Sequence, residues 1–297
     1  MTAAQQGFLL LSSDLGDPRR KPLTTAQLRT LSKRVRIMEK PAQDRDMLPK
    51  DLVGVGYSQQ EAERILRLLS DRELLEYYLH KAKKADCVPI TRVSKGYPQR
   101  LKDKLMDDSP GTLWAKGDVT LLEQPAISLV GSRNINGKNA AFAETVGVQA
   151  AKLGFVLISG NARGADSVAQ EACLQNGGKV ISVVADALQS HEKLDNVLYL
   201  AEDSFDAAFS SHRALSRNRV IHCMGLCVFV AQSDVGKSGT WNGTVNNLRH
   251  GWSPVYCFDD GSAAAAELEQ RGAQLLMPEK LTEMKKLAYC RQSLFDK

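Results

Sequence analysis

The 297-residue sequence predicts an α/β fold built on a doubly wound, mainly parallel sheet. From residue 126 onward, short runs that are apolar throughout alternate with amphipathic helical patterns, notably over 138–153 and 165–176. Strands that are apolar on both faces are expected where helices cover both faces of a sheet. Six strands are predicted, at residues 126–130, 155–159, 179–184, 226–231, 254–258 and 274–277.

The first 85 residues predict a small all-α domain. Leu28, Leu31 and Val35 recur at helical spacing after two threonines, either of which can cap the helix. Ser58 with Glu61 three residues later is a capping box that opens another helix. The pattern fits a DNA-associated helical module of the sterile-alpha-motif or helix-hairpin-helix kind. It fits at least as well a small domain that only packs against its neighbour.

Three segments follow from this organisation: a helical domain at 1–85, a connector at 86–125 and an α/β domain at 126–297. The prolines and glycines of the connector predict turns and extended chain rather than regular structure. No apolar run approaches the roughly 18 residues that span a bilayer. The N-terminus lacks a basic region before its short apolar patch, so no secretory signal is expected. We therefore expect a cytoplasmic protein that does not contact a membrane.

Apart from a membrane-spanning or secreted protein, the composition excludes few classes of function. Hydrophobic content of 43% and charged content of 25% are ordinary for a globular protein, and the net charge of +5 is compatible with a polyanionic partner. Of six cysteines, only Cys223 and Cys227 lie close together, beside His222. No second pair completes a zinc-type spacing, so we expect reduced structural thiols and no bound metal.

Two loops at predicted strand ends carry the residues of an anion site. In an open α/β sheet, ligands gather at the carboxyl ends of strands near the topological switch point. Helix N-termini there offer unpaired amides, glycine permits close approach of the backbone, and arginine adds a planar fork of donors. The first loop contains Gly131, Ser132 and Arg133, and the second contains Ser159, Gly160, Arg163 and Gly164.

Two further segments extend the candidate site. Arg217 and Arg219 flank Asn218 ahead of a predicted strand, and one arginine could reach a groove while the other pairs with an internal acidic residue. The Gly-rich turn at 236–248 offers Lys237 and Thr240, but it lacks the order of a nucleotide-binding phosphate loop, so ATP hydrolysis is not supported.

Three side chains near these loops leave alternatives open. Asp166 can complement a helix dipole, or it can contact a ribose or a catalytic water. Trp241 can stack on a base or pack against the sheet, and packing is the expectation for Trp252.

The order of four motifs, GSR, SGNARGAD, RNR and SGT, resembles the DprA/Smf family of DNA-processing proteins over about residues 92–260. The resemblance implies an extended Rossmann-like domain that binds single-stranded DNA in a basic pocket. It also implies a homodimer, loading of the RecA recombinase, a role in DNA uptake and transformation, and no cofactor or catalytic residue. The implied DNA contacts are Ser132, Arg133, Gly160, Arg163, Gly164, Arg217, Asn218 and Arg219.

The chain departs from the family pattern at several places. Asn161 and Ala165 stand where the family has leucine and isoleucine, the turn SGTWNGTVNN is atypical, and no winged-helix domain is expected after the α/β domain. These departures leave the anion pocket intact. A nucleotide sensor or a LOG-type phosphoribohydrolase is the alternative function. Hydrolysis is disfavoured because Asn246 and Asn247 occupy the region where a catalytic glutamate is needed. A purely structural or protein-interaction module is the third alternative.

Overall fold

The computed structural model describes residues 1–38, 47–236 and 238–290 of the chain. Thr24 caps the second helix by accepting the N–H of Gln27, and Ser58 caps the fourth by accepting the N–H of Glu61, so both expected caps form. The described part of the N-terminal segment is helical, as the sequence predicts. Its helices are α1 (Ala3–Ser12), α2 (Thr25–Arg36), α3 (Pro49–Gly54), α4 (Gln59–Ser70) and α5 (Arg72–Lys84).

Strands and helices alternate through the rest of the described chain. The strands are β1 (Val88–Thr91), β2 (Thr112–Gly117), β3 (Ala126–Val130), β4 (Val156–Ser159), β5 (Lys179–Val183), β6 (Val197–Glu202), β7 (Val228–Val230), β8 (Val255–Phe258) and β9 (Gln274–Leu276). The helices are α6 (Gln99–Leu105), α7 (Gly137–Leu153), α8 (Ala165–Gln175), α9 (Ser211–Met224), α10 (Gly239–His250), α11 (Ala263–Gln270) and α12 (Met284–Tyr289). Across the described ranges, each helix is too short or too polar to cross a bilayer.

The nine described strands form one sheet in the order β1-β2-β6-β5-β4-β3-β7-β8-β9. The pairs β1–β2 and β2–β6 are antiparallel, and all the other neighbours are parallel. The chain leaves β3 toward β4 on one side, while β7 pairs with β3 on the other side. This reversal creates a topological switch point, and a crevice is expected beyond the carboxyl ends of β3 and β7.

Helices cover both faces of the sheet. Ile127 and Leu129 of β3 pack on one side with Phe142 of α7, while Val130 packs on the other side with Val220 of α9. Successive side chains of a strand point to opposite faces, so a strand buried on both sides must be apolar throughout. The predicted doubly wound, mainly parallel α/β fold is therefore confirmed.

The N-terminal helices pack on the antiparallel edge of the sheet. Tyr78 of α5 makes an edge-on contact with Trp114 of β2 at 5.4 Å and a tilted contact with Phe205 at 4.8 Å between ring centroids. The Tyr78 hydroxyl donates to Asp206 Oδ1 at 2.6 Å, and Lys81 Nζ donates to Asp206 Oδ2 at 2.6 Å. These contacts fix the loop between β6 and α9.

The expectation that residues 86–125 lack regular structure is wrong. This segment contains β1, α6 and β2, and β2 pairs with β6 from Leu113–Glu202 to Gly117–Leu198. The sequence pattern missed β1, β2 and β6, which contain, respectively, a proline, a lysine with a terminal glycine, and a terminal glutamate. The six predicted strands all form, with ends shifted by at most two residues.

Candidate functional site

Two adjoining cavities open at the switch point, with volumes of about 520 and 300 Å³. The first lies between the loops after β3 and β4 and the helices α9 and α10, and the second lies between the loops after β4 and β5. Arg133, Phe209 and Arg217 line both cavities, and Arg163 lines the smaller one. We call the two cavities together the arginine pocket.

The loop after β3 presents the guanidinium group of Arg133 to the pocket. Ser132 is almost buried, and its hydroxyl accepts the N–H of Asn134 at 3.1 Å and donates to the Asn134 carbonyl at 3.2 Å. Arg133 is exposed and makes no hydrogen bond or ion pair with any residue that the structure describes. Ser132 therefore shapes the loop, and Arg133 is available to a ligand.

The loop after β4 brings a second exposed arginine to the same pocket. Arg163 Nη2 donates to Asn134 Oδ1 at 2.9 Å, which ties the two loops together. Gly164 has a φ of +91°, and a Cβ at this position would lie 2.4 Å from the Ser132 carbonyl oxygen. Only glycine permits the two loops to approach this closely, so the glycine of the sequence motif is required by the geometry of the loops.

Asp166 shapes the second loop from inside the protein. Its Oδ2 accepts the N–H of Gly160 at 3.1 Å and the N–H of Ala162 at 3.2 Å. Burial raises the pKa of the Asp166 carboxyl to about 6, although the nearby Arg217 guanidinium and the two N–H groups oppose this rise. The sequence left open whether Asp166 contacts a ribose or a catalytic water. The geometry favours neither role, because the carboxyl accepts hydrogen bonds from two backbone amides.

Arg217 lies beneath the arginine pocket. It is 7% exposed, and its Nη1 donates to the carbonyl oxygens of Gly160 and Val183, the latter at 2.7 Å. A Cβ on Gly160 would lie 2.7 Å from Arg217 Nη2 and 2.8 Å from Asp166 Oδ2. The guanidinium therefore joins the ends of β4 and β5, and it supplies positive charge to the pocket from below.

The remaining predicted residues divide between the pocket and its support. Asn218 Nδ2 donates to the Gly239 carbonyl at 2.9 Å, and Thr240 Oγ1 donates to the Gly131 carbonyl at 2.8 Å. Ser159 is fully buried and bonded to Gln170, so a direct contact of Ser159 with a ligand is wrong for this structure. Lys237 lies outside the described residues.

Arg219 lies on the opposite side of α9 from Arg217. Its Nη2 is 3.9 Å from Glu202 Oε2, and it lines a different cleft rather than the arginine pocket. Residues two apart on a helix point in nearly opposite directions, which explains the separation. Placing Arg219 in the same pocket as Arg133 is therefore wrong, whereas its pairing with an internal acid matches the alternative drawn from the sequence.

Two residues of the pocket were missed by the sequence analysis. Phe209, in the loop before α9, is 56% exposed and lines both cavities. Asn134 joins the two loops through Arg163. The available signal for Phe209 was an aromatic residue directly before the Ser210 helix cap. By contrast, Trp241 is buried in the core, which resolves that ambiguity in favour of packing.

Cys223 and Cys227 are buried, and so is His222 between them and α10. Burial lowers the pKa of His222 to about 3, and Asn247 Nδ2 lies 3.2 Å from its Nδ1. Among the described residues, no group of three or more His, Cys, Asp or Glu side chains could hold a metal ion. The amide of Asn247 also accepts the N–H of Ser253 at 2.8 Å, which makes this residue part of the core.

The family model for DNA recombination-mediator protein A matches residues 89–286, which include every described residue of the arginine pocket. The chain belongs to this family. It is 31% identical over 193 residues to the DNA processing protein DprA of Streptococcus pneumoniae, covering 61% of this chain and 67% of that protein. It is 28% identical over 204 residues to DprA of Bacillus subtilis, covering 64% of this chain and 67% of that protein.

Solved DprA structures share the fold. The X-ray structure of DprA from S. pneumoniae superposes with a TM-score of 0.71 at 24% identity, covering 96% of this chain and 98% of that chain. A structure of DprA from Helicobacter pylori superposes with a TM-score of 0.56 at 24% identity, covering 67% of this chain and 95% of that chain. That structure is described for its single-stranded DNA binding mode. The match to the family model confirms the sequence resemblance to the DprA/Smf family, and the solved structures show the same fold.

In this DprA-family chain, Asp166 is expected to make stability depend on pH. Its folded pKa of about 6 lies above the ordinary value of 3.8, so the folded state retains a proton that the unfolded state loses. The stabilisation is complete below about pH 4 and disappears as pH rises through about 6, a loss of about 3 kcal/mol. Relative to Asp166→Asn, which does not titrate, the wild type should lose that amount between about pH 4 and 7.

Urea unfolding of both proteins across this pH range measures the difference. Asp195→Asn, a change at an exposed carboxyl, serves as the control and should follow the wild type. Parallel curves for the wild type and Asp166→Asn would show that the carboxyl ionises normally in the folded protein.

Proposed function

We propose that this DprA-family chain binds single-stranded DNA through its arginine pocket and performs no chemistry on it. The observation that carries the proposal is the juxtaposition of Arg133 and Arg163 on two neighbouring loops at the switch point. Both side chains are exposed, and Arg133 is unpaired within the described chain. Guanidinium groups in this position are suited to phosphate oxygens, and the DprA structure from H. pylori is described in terms of single-stranded DNA.

The electrostatics of the pocket favour an anion. Arg217 adds a buried positive charge below the two exposed arginines, and its Nε is buried without a hydrogen-bond partner in the described protein. Three carboxylates also line the arginine pocket. Asp166 accepts the loop amides, Asp186 Oδ1 lies 2.9 Å from His191 Nε2, and Asp234 lies at the larger cavity. In the smaller cavity, the guanidinium groups of Arg133, Arg163 and Arg217 outnumber the one lining carboxylate, that of Asp186, so a phosphate there meets net positive charge.

Phe209 supports a single strand over a duplex. Its ring is more than half exposed beside Arg133 and Arg217. Stacking of a base on an aromatic ring contributes about 1–3 kcal/mol and requires an unpaired base. We propose that Phe209 stacks on a base while the arginines hold the adjoining phosphates.

Binding without catalysis follows from how the reactive groups are used. The Ser132 hydroxyl is bonded within its own loop, and the Asp166 carboxyl is bonded to two amides. A nucleophile needs a base within hydrogen-bond reach, and neither group has one. At the position where a phosphoribohydrolase would need a glutamate, Asn247 is a buried structural amide.

We further propose a role in recombination during DNA uptake, with delivery of the bound strand to RecA by a homodimer in the cytoplasm. This part of the proposal rests on membership of the DNA recombination-mediator protein A family. Light scattering on the purified protein, with and without DNA, measures the assembly directly.

Replacing Arg133 and Arg163 together with alanine should weaken binding of a single-stranded oligonucleotide. Each lost phosphate contact should lower the slope of log affinity against log salt by about 0.7, with an affinity loss of about 10-fold per arginine at low salt. Fluorescence anisotropy at several salt concentrations measures both quantities.

Arg19→Ala removes another exposed arginine, far along the chain and paired with Asp17, and is the matched control. It should leave the slope unchanged. Equal affinity of the wild type for single-stranded and duplex DNA would contradict the proposed function.

A further inference from the structure

A second cleft, of about 940 Å³, lies between the N-terminal helices and the α/β sheet. This volume lies within the range of about 300–1,000 Å³ that is usual for small-ligand sites. The loop before α2 and the residues after β6 form its walls, and α9 and α10 complete it. We call it the interdomain cleft.

The interdomain cleft adjoins the arginine pocket. Leu215, Asn218 and Gly239 line both the cleft and the larger cavity of the pocket. The hydrogen bond from Asn218 to the Gly239 carbonyl joins α9 to the start of α10 at this shared boundary. A strand leaving the arginine pocket across this boundary enters the cleft.

The charges of the cleft differ from those of the arginine pocket. Arg213 is bound to backbone, since its two Nη atoms donate to the carbonyls of residues 202, 204, 207 and 208. Arg20 likewise donates to the Leu10 and Leu68 carbonyls and pairs with Asp71. Carboxylates also line the cleft, at positions 14, 202 and 203. Lys21 Nζ donates to the Pro18 carbonyl at 3.3 Å, and Arg219 lies 3.9 Å from Glu202, so each of these cations already has a partner. Such a lining suits neutral groups that form hydrogen bonds.

Several polar atoms of the cleft have no hydrogen-bond partner within the described residues. Asn242 and Asn246 are exposed one turn apart on the same face of α10. Their amides, like the carboxyl of Asp203, make no hydrogen bond or ion pair with any described residue. Arg219 Nε is also buried, and it makes no hydrogen bond with the described part of the chain.

The backbone at Asp203 supports a role for this carboxyl. Asp203 has a φ of +66°, in the left-handed region that non-glycine residues adopt at a cost in free energy. Such conformations cluster at binding sites, where surrounding structure maintains them. Here the Trp114 indole donates to the Asp203 carbonyl at 3.2 Å, which fixes the residue at the edge of the cleft.

We propose that the interdomain cleft binds unpaired bases of the same strand whose phosphates the arginine pocket holds. The proposal rests on the proposed function and adds where the bases go. Asparagine amides can donate to and accept from base edges, whereas a carboxylate accepts from an exocyclic amine. Asp203 therefore favours cytosine or adenine over thymine, whose corresponding group is a carbonyl. Paired bases of a duplex cannot enter.

The test uses the full chain and three oligonucleotides of equal length: oligo(dC), oligo(dT) and an abasic strand that keeps its phosphates. Replacing Asn242 and Asn246 together with alanine should weaken binding of oligo(dC) by about 10-fold. It should leave binding of the abasic strand and the salt slope unchanged. Both side chains are exposed, so the fold should tolerate the change.

Asp203→Asn provides an independent variant, since asparagine tolerates the left-handed backbone. The wild type should prefer oligo(dC) to oligo(dT), and this variant should lose the preference because an amide can pair with either base. The measurement is made at about pH 8, since enclosure by protein raises the pKa of Asp203 to about 7, with Glu202 adding to the rise. Asn176→Ala, at an exposed amide outside the cleft, is the control.

Two outcomes would overturn the proposal while leaving the proposed function intact. One is a double asparagine variant that binds oligo(dC) as the wild type does. The other is an equal loss for oligo(dC) and the abasic strand. If the wild type binds single strands no better than duplex, both the proposed function and this inference fail. If the arginine variants flatten the salt slope but the asparagine variant binds oligo(dC) as tightly as the wild type, only this inference fails.

Discussion

Gly164→Ala is expected to destabilise the protein by about 3 kcal/mol and to reduce binding of single-stranded DNA by at least about 10-fold. The added Cβ would lie 2.4 Å from the Ser132 carbonyl oxygen and 2.7 Å from the Arg133 carbonyl oxygen. Both contacts are with backbone, which cannot rotate away as a side chain can. The loops after β3 and β4 must therefore separate, and this moves Arg133 away from Arg163.

The Ala165 N–H contributes to the same contact between the loops. It donates to the Ser132 carbonyl at 3.1 Å, and separation of the loops would break this bond at the start of α8. Thermal or urea unfolding measures the loss of stability, and anisotropy measures the loss of affinity.

Gly154→Ala provides a control for adding a side chain at a positive φ, although its ψ of 23° differs from the −128° of Gly164. Gly154 ends α7 with a φ of +74°, and a Cβ there has no atom within 4 Å. This variant should show only the cost of the left-handed backbone, about 1 kcal/mol, and should bind DNA normally. Equal destabilisation by the two changes would mean that backbone conformation, rather than the contact between the loops, limits position 164.

Local patterns in the sequence predict the central part of the fold well. The apolar runs that form β3 and β4 are fully buried and are each followed by a helix with a clear pattern. Such strands need only their own composition to be recognised. The antiparallel edge is different: β2 contains lysine and a terminal glycine, and its partner β6 lies more than 80 residues later. The lysine and the glycine weaken the strand pattern of β2, which explains why the strand was missed.

The same distinction holds for the candidate site. The glycine and arginine motifs predict two loops that meet at the switch point, and those loops do meet. The sequence does not show which arginines are exposed. Arg217 is internal because its guanidinium reaches carbonyls 57 and 34 residues away along the chain, at Gly160 and Val183. Phe209 is likewise brought to the pocket by contacts between the N-terminal helices and its loop.

Arg217→Met is expected to destabilise the protein by about 3–5 kcal/mol and to abolish measurable binding of single-stranded DNA at physiological salt. The change leaves the Gly160 and Val183 carbonyls without the guanidinium and leaves Asp166 without its nearest positive charge. Since Arg217 opposes the rise in the pKa of Asp166, removal of its charge should raise that pKa further. The variant should therefore be least stable, relative to the wild type, above about pH 6.

Arg217→Lys distinguishes charge from geometry. Lysine keeps the positive charge beside Asp166 but lacks the planar fork that donates to two carbonyls. It should recover part of the stability and less of the DNA binding, because the ends of β4 and β5 are no longer joined. Full recovery of both by lysine would show that only the charge matters.

A double-mutant cycle with Asp166→Asn separates the charge interaction from the carbonyl contacts. If the loss in Arg217→Met arises mainly from an isolated buried carboxylate, adding Asp166→Asn should restore about 1–3 kcal/mol at pH 8 and little at pH 5. At pH 5 the carboxyl is already protonated, because its pKa is about 6. A coupling energy that is the same at both pH values would contradict the charge interaction and assign the whole effect of Arg217 to its bonds with the strand ends.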